Sequence, residues 1–162
     1  FPQAVAGAVR LRDELAPTAK IAVLSNGTRA DRPAVHDALM LVDDNILKLD
    51  TVDATYIQLI DQPVAAYDVE HQIETFASFK GYAIIQTMFL TGTWQGHDMD
   101  NTGDAYVDPW LDALSRIRPQ AVTIYTIARE TPAKGLCKAP AETLDAIATC
   151  VRELGIGCQV SY

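Results

Sequence analysis

Apolar runs alternate along this chain with stretches of helical spacing. Four runs rich in Val, Ile and Leu end on polar residues: IAVLSNGT (21–28), NILKLD (45–50), YAIIQTMFLTG (82–92) and AVTIYTIAR (121–129). Short apolar runs of this kind are typical of parallel strands that are buried on both faces. Helical spacing covers 3–15, 33–42, 54–60, 68–79, 107–117 and 141–154, and GCQVSY (157–162) is a candidate fifth strand.

This order predicts an α/β fold, in which β/α repeats form a parallel sheet through right-handed crossovers. The chain of 162 residues is long enough for one domain with a full core, so we expect a single domain over 1–162. Alternation alone fits both an arc of a barrel and an open doubly wound sheet. The longest segment without a predicted element is the loop TGTWQGHDMDNTGDAY (91–106).

Composition narrows the classes of function. The net charge of −8 argues against a nucleic-acid surface on this chain. No apolar run reaches the roughly 18 residues that a membrane span needs. The cysteines Cys137, Cys150 and Cys158 form no C-x-x-C pair, which indicates reduced thiols and a cytoplasmic location.

The candidate chemistry lies where the predicted strands end, because α/β proteins place their functional groups at the carboxyl ends of parallel strands. Lys48 and Asp50 stand two residues apart and therefore share one face of a strand. A buried cation and carboxylate cost stability unless they meet each other or a ligand. The strand-end set comprises Ser25, Asn26, Lys48, Asp50, Gln86, Tyr125, Thr126 and Arg129.

Other motifs give weaker signals. There is no phosphate-binding loop, no G-x-G-x-x-G after a strand and no G-x-S-x-G elbow. The acidic segment 98–104 begins like a calcium loop, but Thr102 and Pro109 occupy positions where that loop needs ligands. We therefore expect a solvated loop that could touch a substrate.

Taken in order, several segments resemble the radical S-adenosylmethionine (radical SAM) superfamily. They are LSNGT, LKLD about twenty residues later, a third strand with Gln-Thr and an Asp-Asn loop, and P-x-x-V-x-I-Y-T-I-x-R. Within the superfamily they are similar to iron–sulfur oxidoreductases related to pyruvate formate-lyase activating enzymes and wyosine-type tRNA enzymes. The resemblance spans essentially the whole chain.

The resemblance implies an arc of a partial (β/α)6 barrel with a [4Fe–4S] cluster at its open top. The cluster binds S-adenosylmethionine and cleaves it reductively to a 5′-deoxyadenosyl radical, which abstracts hydrogen from a substrate. A flavodoxin or ferredoxin is the implied electron donor. The family's C-x3-C-x2-C and Gly-Gly-Glu segments are absent from this sequence. We therefore expect the chain to be the second helix through the sixth strand of such a barrel and just beyond, with those segments upstream of Phe1, and to be inactive alone.

The resemblance also implies ligand contacts. Ser25 and Asn26 would lie near the methionine moiety or ribose, Lys48 would pair with the methionine carboxylate, and Asp50 would accept from its amine or a ribose hydroxyl. Gln86 would lie over the ribose or substrate, and Tyr125 and Arg129 would contact adenine or substrate. The alternatives are an open doubly wound ligand-binding module without a cluster, and a small enzyme or interaction module built on the 98–104 loop.

Overall fold

The computed structural model describes residues 1–129 and 131–162. Its helices are α1 (Pro2–Leu15), α2 (Pro33–Leu39), α3 (Ala54–Ile60), α4 (Val69–Ala77), α5 (Asp104–Ile117) and α6 (Ala141–Glu153). Its strands are β1 (Ala22–Ser25), β2 (Asp44–Lys48), β3 (Ile84–Met88), β4 (Leu90–Trp94), β5 (His97–Asp98), β6 (Ala121–Tyr125), β7 (Leu136–Lys138) and β8 (Gly157–Ser161). Every predicted helix and strand is present, with ends shifted by a few residues.

The main sheet has five parallel strands in the order β1-β2-β3-β6-β8. Each strand therefore lies beside its predecessor within this sheet, and the order never reverses. Right-handed crossovers that all step in one direction put the connecting helices on one side of the sheet. A doubly wound sheet needs a reversal of strand order, so this topology excludes that alternative.

Burial along the strands confirms that only one face is covered by helices. Alternate strand residues such as Leu47, Ile85 and Val122 belong to the main core together with residues of α2, α4, α5 and α6. Residues of the opposite face are half-buried or exposed, and Leu24 is 64% exposed. The prediction of strands buried on both faces is therefore wrong for this chain. We call the uncovered surface of the main sheet the open face.

The segment 91–106 is not the simple loop that the sequence predicted. Strand β4 continues almost directly from β3 and pairs antiparallel with both β5 and β7, which forms a second, three-stranded sheet. Gly92 (φ +102°) and Gly135 (φ +98°) allow the two backbones to approach closely, since a Cβ on either would collide with a carbonyl oxygen of the other strand. This small sheet stands beyond the carboxyl ends of β3 and β6.

Helix starts near the strand ends are fixed by local side chains. Asp53 accepts a hydrogen bond from the Tyr56 amide (2.7 Å) at the start of α3, and Asp68 accepts one from the His71 amide (3.1 Å) at the start of α4. These caps hold the helices on either side of the 61–68 segment, which borders the candidate site. No helix in the described part of the chain is long and apolar enough to cross a membrane.

Candidate functional site

Strand register places four of the eight predicted site residues in two adjacent rows on the open face. Lys48 pairs with Gln86, which in turn pairs with Thr123 of β6. One step towards the carboxyl ends, Met88 pairs with Tyr125, and Asp50 lies level with them because its Oδ1 accepts from the Met88 amide at 2.8 Å. The predicted convergence of Lys48, Asp50, Gln86 and Tyr125 is thus what the sheet produces.

The centre of this site is one ammonium between two carboxylates. Lys48 Nζ lies 2.6 Å from Asp50 Oδ2 and 3.1 Å from Asp61 Oδ1. The Asp50 side chain is fully buried, whereas the side chains of Lys48 and Asp61 are 35% and 34% exposed. The three groups together carry one net negative charge, and the ammonium keeps a third donor for a ligand.

The environment of this cluster shifts its pKa values. Burial lowers the pKa of Lys48, but the charges and hydrogen bonds of Asp50 and Asp61 outweigh it, so the net pKa is raised. Burial raises the pKa of Asp50 against the opposing effect of Lys48. Lys48 is therefore a permanent cation at neutral pH. Asp50 is a carboxylate whose negative charge is destabilised by burial.

Asp50 Oδ2 has one polar partner among the described residues, the Lys48 ammonium at 2.6 Å. A carboxylate oxygen can accept two hydrogen bonds, so one acceptor position remains. A ligand hydroxyl or amine would donate to this position.

Two tyrosines border the cluster. Burial, followed by the nearby charges of Asp61 and Asp50, raises the pKa of Tyr67 to about 12. Burial and then the charge of Asp50 also raise the pKa of Tyr125. Both phenols therefore remain protonated donors at neutral pH, next to the carboxylates.

A cleft of about 680 Å³ opens beside the cluster, and this volume is within the usual range for small-molecule sites. Its walls include Asn26, Lys48 and Asp50 from the predicted set. The segment after β1, the 61–68 segment and the first turn of α4 complete them. Gln86 and Tyr125 lie on the sheet beside the cleft rather than in its wall.

Three predicted residues are not brought into the cluster. Thr126 is buried, and its Oγ1 accepts from the Ala139 amide at 2.8 Å. Ser25 is in register with the buried Leu47, which places it towards the helix-covered face, and its Oγ accepts from the Gly27 amide at 3.0 Å. Arg129 is exposed beyond the end of β6, and its side chain has no ion pair or hydrogen bond with the described residues. Ser25 therefore shapes the turn that carries Asn26, while Arg129 stands apart.

Sequence reasoning missed three residues of the site. Asp61 and Tyr67 come from the segment between α3 and α4, where no pattern distinguishes them from surface residues. Asn101 lies in the acidic segment that we expected to be solvated, yet it is fully buried. Its Nδ2 donates to the carbonyls of Met88 (2.9 Å) and Asp50 (3.4 Å), and its Oδ1 accepts from the Leu90 amide (2.9 Å).

The described residues do not fit an iron–sulfur cluster. Cys137, Cys150 and Cys158 lie on β7, α6 and β8, and all three are free thiols. No group of three or more His, Cys, Asp or Glu side chains within 1–129 and 131–162 is arranged to hold a metal ion. The three thiols within 1–129 and 131–162 therefore do not form a ligand set for such a cluster.

Comparison with solved structures identifies the fold. A domain of pyruvate-formate lyase-activating enzyme from Bacteroides vulgatus superposes with a TM-score of 0.68 over 98% of this chain and 92% of that chain, at 10% identity. A radical SAM methyltransferase from Sphaerobacter thermophilus superposes with a TM-score of 0.59 over 86% of this chain, at 15% identity. The chain therefore shares its α/β fold with these two structures.

The extent of the match differs between these two structures. This chain spans 39% of the length of the methyltransferase, so most of that enzyme has no counterpart in it. No family model matches the sequence, and no curated protein matches it. The similarity to these structures is therefore one of fold, and it does not identify a ligand.

Proposed function

We propose that this chain forms the S-adenosylmethionine-binding strand ends of a radical SAM enzyme. The observation that carries the proposal is the Lys48–Asp50–Asp61 cluster, which lies beside a cleft at the carboxyl ends of the strands. The fold similarity to radical SAM domains supports the assignment.

The charges of the cluster suit the methionine end of this ligand. The third donor of Lys48 would bind the methionine carboxylate, and the remaining acceptor position of Asp50 Oδ2 would accept from the ammonium group or a ribose hydroxyl. Asp61 adds a second negative charge near the ligand cation. Asn26, Gln86 and Tyr125 would contact the ribose, adenine or substrate from neighbouring strands.

In radical SAM enzymes, bound S-adenosylmethionine supplies a 5′-deoxyadenosyl radical for hydrogen abstraction. The residues of this chain would bind and orient it and exclude water, while cluster ligands would have to come from elsewhere. The electron donor would be a flavodoxin or ferredoxin. These residues do not identify the donor or the substrate. A reducing cytoplasmic setting would keep the three thiols free.

Titration of the chain with S-adenosylmethionine, followed by ¹H–¹⁵N NMR, tests the binding proposal. We expect saturable shifts around β2 and the 61–68 segment. Lys48→Ala and Asp50→Asn should each weaken binding by about tenfold or more, because each removes a charge-assisted contact. Lys20→Ala is the matched control, since Lys20 is exposed before β1 at the opposite end of the strands. Equal affinity in Lys48→Ala and Lys20→Ala would refute the assignment.

The second part of the proposal is that the isolated chain does not cleave the ligand. After incubation with iron, sulfide, dithionite and S-adenosylmethionine, we expect no 5′-deoxyadenosine above the protein-free background. Chromatographic detection of 5′-deoxyadenosine that depends on the chain would show this part to be wrong.

A further inference from the structure

The segment that follows β1 is firmly anchored against α4. Gly27 has a φ of +70°, and its carbonyl accepts a hydrogen bond from Gln72 Nε2 at 3.2 Å. A Cβ at this position would collide with the Phe76 ring, which leaves little room for the segment to shift. Ala30 is only 1% exposed and holds the next turn in the core. The backbone of 26–32 is therefore a fixed wall of the cleft.

Two arginines stand on this wall, one on each side of the buried Ala30. Arg29 and Arg32 are exposed and line the same cleft as Lys48 and Asp50. Neither side chain forms an ion pair or hydrogen bond with the described residues. By contrast, Arg12 pairs with Asp43 at 2.8 Å, and Arg116 forms a two-pronged contact with Glu70. Unpaired guanidinium groups on a rigid cleft wall can bind anionic ligands.

The carboxylates of the cleft already have partners. Asp50 and Asp61 hold Lys48, Asp31 Oδ2 lies 3.4 Å from His71 Nε2, and Asp68 accepts the amide hydrogen bond that starts α4. The two arginines thus hold the unused cationic donors of this wall among the described residues. The chain as a whole carries a net charge of −8, which repels long polyanions and favours a small ligand.

We propose that Arg29 and Arg32 form a subsite for a carboxylate or phosphate group of the substrate. Carboxylate and phosphate groups each present two adjacent anionic oxygens. These oxygens accept two parallel hydrogen bonds from one guanidinium group. The identification of the bound molecule as substrate rests on the proposed function, because the same cleft would hold S-adenosylmethionine at Lys48 and Asp50. The subsite then selects a substrate with an anionic group at one end.

The test is an NMR titration of the ¹⁵N-labelled chain with inorganic phosphate and, separately, with succinate at low ionic strength. We expect saturable shifts of the Arg29 and Arg32 Nε–H signals with at least one probe, and the stronger probe identifies the source of the anion. The double variant Arg29→Gln/Arg32→Gln should weaken that binding by about tenfold or more. Arg10→Gln is the matched control, because Arg10 is exposed on α1 and does not line the cleft.

Several outcomes would overturn the proposal: no saturable shift with either probe, unchanged affinity in the double variant, or equal weakening by Arg10→Gln. The single variants Arg29→Gln and Arg32→Gln repeat the test if the double variant does not fold. Conservative Arg→Lys changes at both positions should recover part of the affinity, since charge remains while the fork is lost. A separate titration with S-adenosylmethionine tests the proposed function. The two titrations are independent, so either proposal can be refuted while the other is retained.

Discussion

At the scale of single residues, Lys48 and Asp50 show how a strand places a charge pair and how the fold completes it. Their two-residue spacing puts both on the open face, and the pair forms at 2.6 Å. Asp61 joins them from a segment eleven residues beyond Asp50 in sequence. The third charge turns a simple ion pair into a site with net negative charge and a spare ammonium donor.

Asp50 should make stability depend on pH in an unusual direction. Its folded-state pKa is raised above the ordinary value for an aspartate by burial, so folding favours its protonated form. The stabilisation from protonated Asp50 is fully present below the pKa that Asp50 has in the unfolded chain. It is lost as the pH rises through the higher pKa that Asp50 has in the folded protein. On acidification from pH 7 to pH 3, the wild type should therefore gain stability relative to Asp50→Asn.

Urea unfolding of both proteins at several pH values measures this difference. Asp112→Asn provides the control, because Asp112 is exposed on α5 and its side chain has no partner among the described residues. A constant or opposite difference between wild type and Asp50→Asn would contradict the prediction.

Asn101 should contribute strongly to stability although its segment is polar and acidic. Asn101→Ala leaves the Leu90 amide and the Met88 carbonyl without their side-chain partner in a buried place. We expect a loss of about 2–4 kcal/mol in the free energy of unfolding. Thr102→Ala, which removes only a hydroxyl bonded to Asp100 within the same turn, should cost about 1 kcal/mol or less. Equal losses in chemical denaturation would show that Asn101 is an ordinary loop residue.

At the scale of elements, the helices and main-sheet strands follow from patterns that are local in sequence. The small sheet does not, since β4 and β7 pair across more than forty residues and neither has the apolar alternation of a long strand. What defines this pairing is the close approach of two glycine-bearing backbones. That feature has meaning only when both segments are seen together.

Gly92→Ala should disrupt the small sheet, because the new Cβ would meet the Gly135 carbonyl oxygen, and a backbone atom paired in a sheet cannot move aside easily. Gly96→Ala is the matched control, with a similar positive φ of +81° and open space around it. We expect Gly96→Ala to cost about 1 kcal/mol from backbone strain and Gly92→Ala about 2 kcal/mol more. Thermal unfolding and loss of hydrogen-exchange protection in β4 and β7 measure the difference. Equal losses of stability in the two variants would mean that β4 and β7 can move apart without an energetic penalty.

At the scale of the whole molecule, the sheet is covered on one face only. All helices of the main core pack against the same side, and the open face presents half-buried aliphatic residues beside the charged cluster. Apolar surface left uncovered on a sheet tends to attract partners. This arrangement is what a barrel arc presents on its inner side.

The open face should therefore cause concentration-dependent self-association of the isolated chain. Leu24→Lys places a charge on that face and should lower the associated fraction, as measured by sedimentation velocity over a range of concentrations. Leu15→Lys is the control, since Leu15 is 78% exposed but lies at the end of α1, whereas Leu24 is 64% exposed on the sheet. A monomer at all concentrations, or equal effects of both changes, would contradict the prediction.

The sequence by itself determined the α/β class, the order of the main elements and the shared face of Lys48 and Asp50. These features depend on the periods of helices and strands, which neighbouring residues encode. Tertiary structure decided the one-sided covering of the sheet, the small antiparallel sheet, and the addition of Asp61, Tyr67 and Asn101 to the site. Each of these depends on contacts between segments far apart in the chain. Local periodicity specifies which way a side chain points, but only packing specifies what it meets.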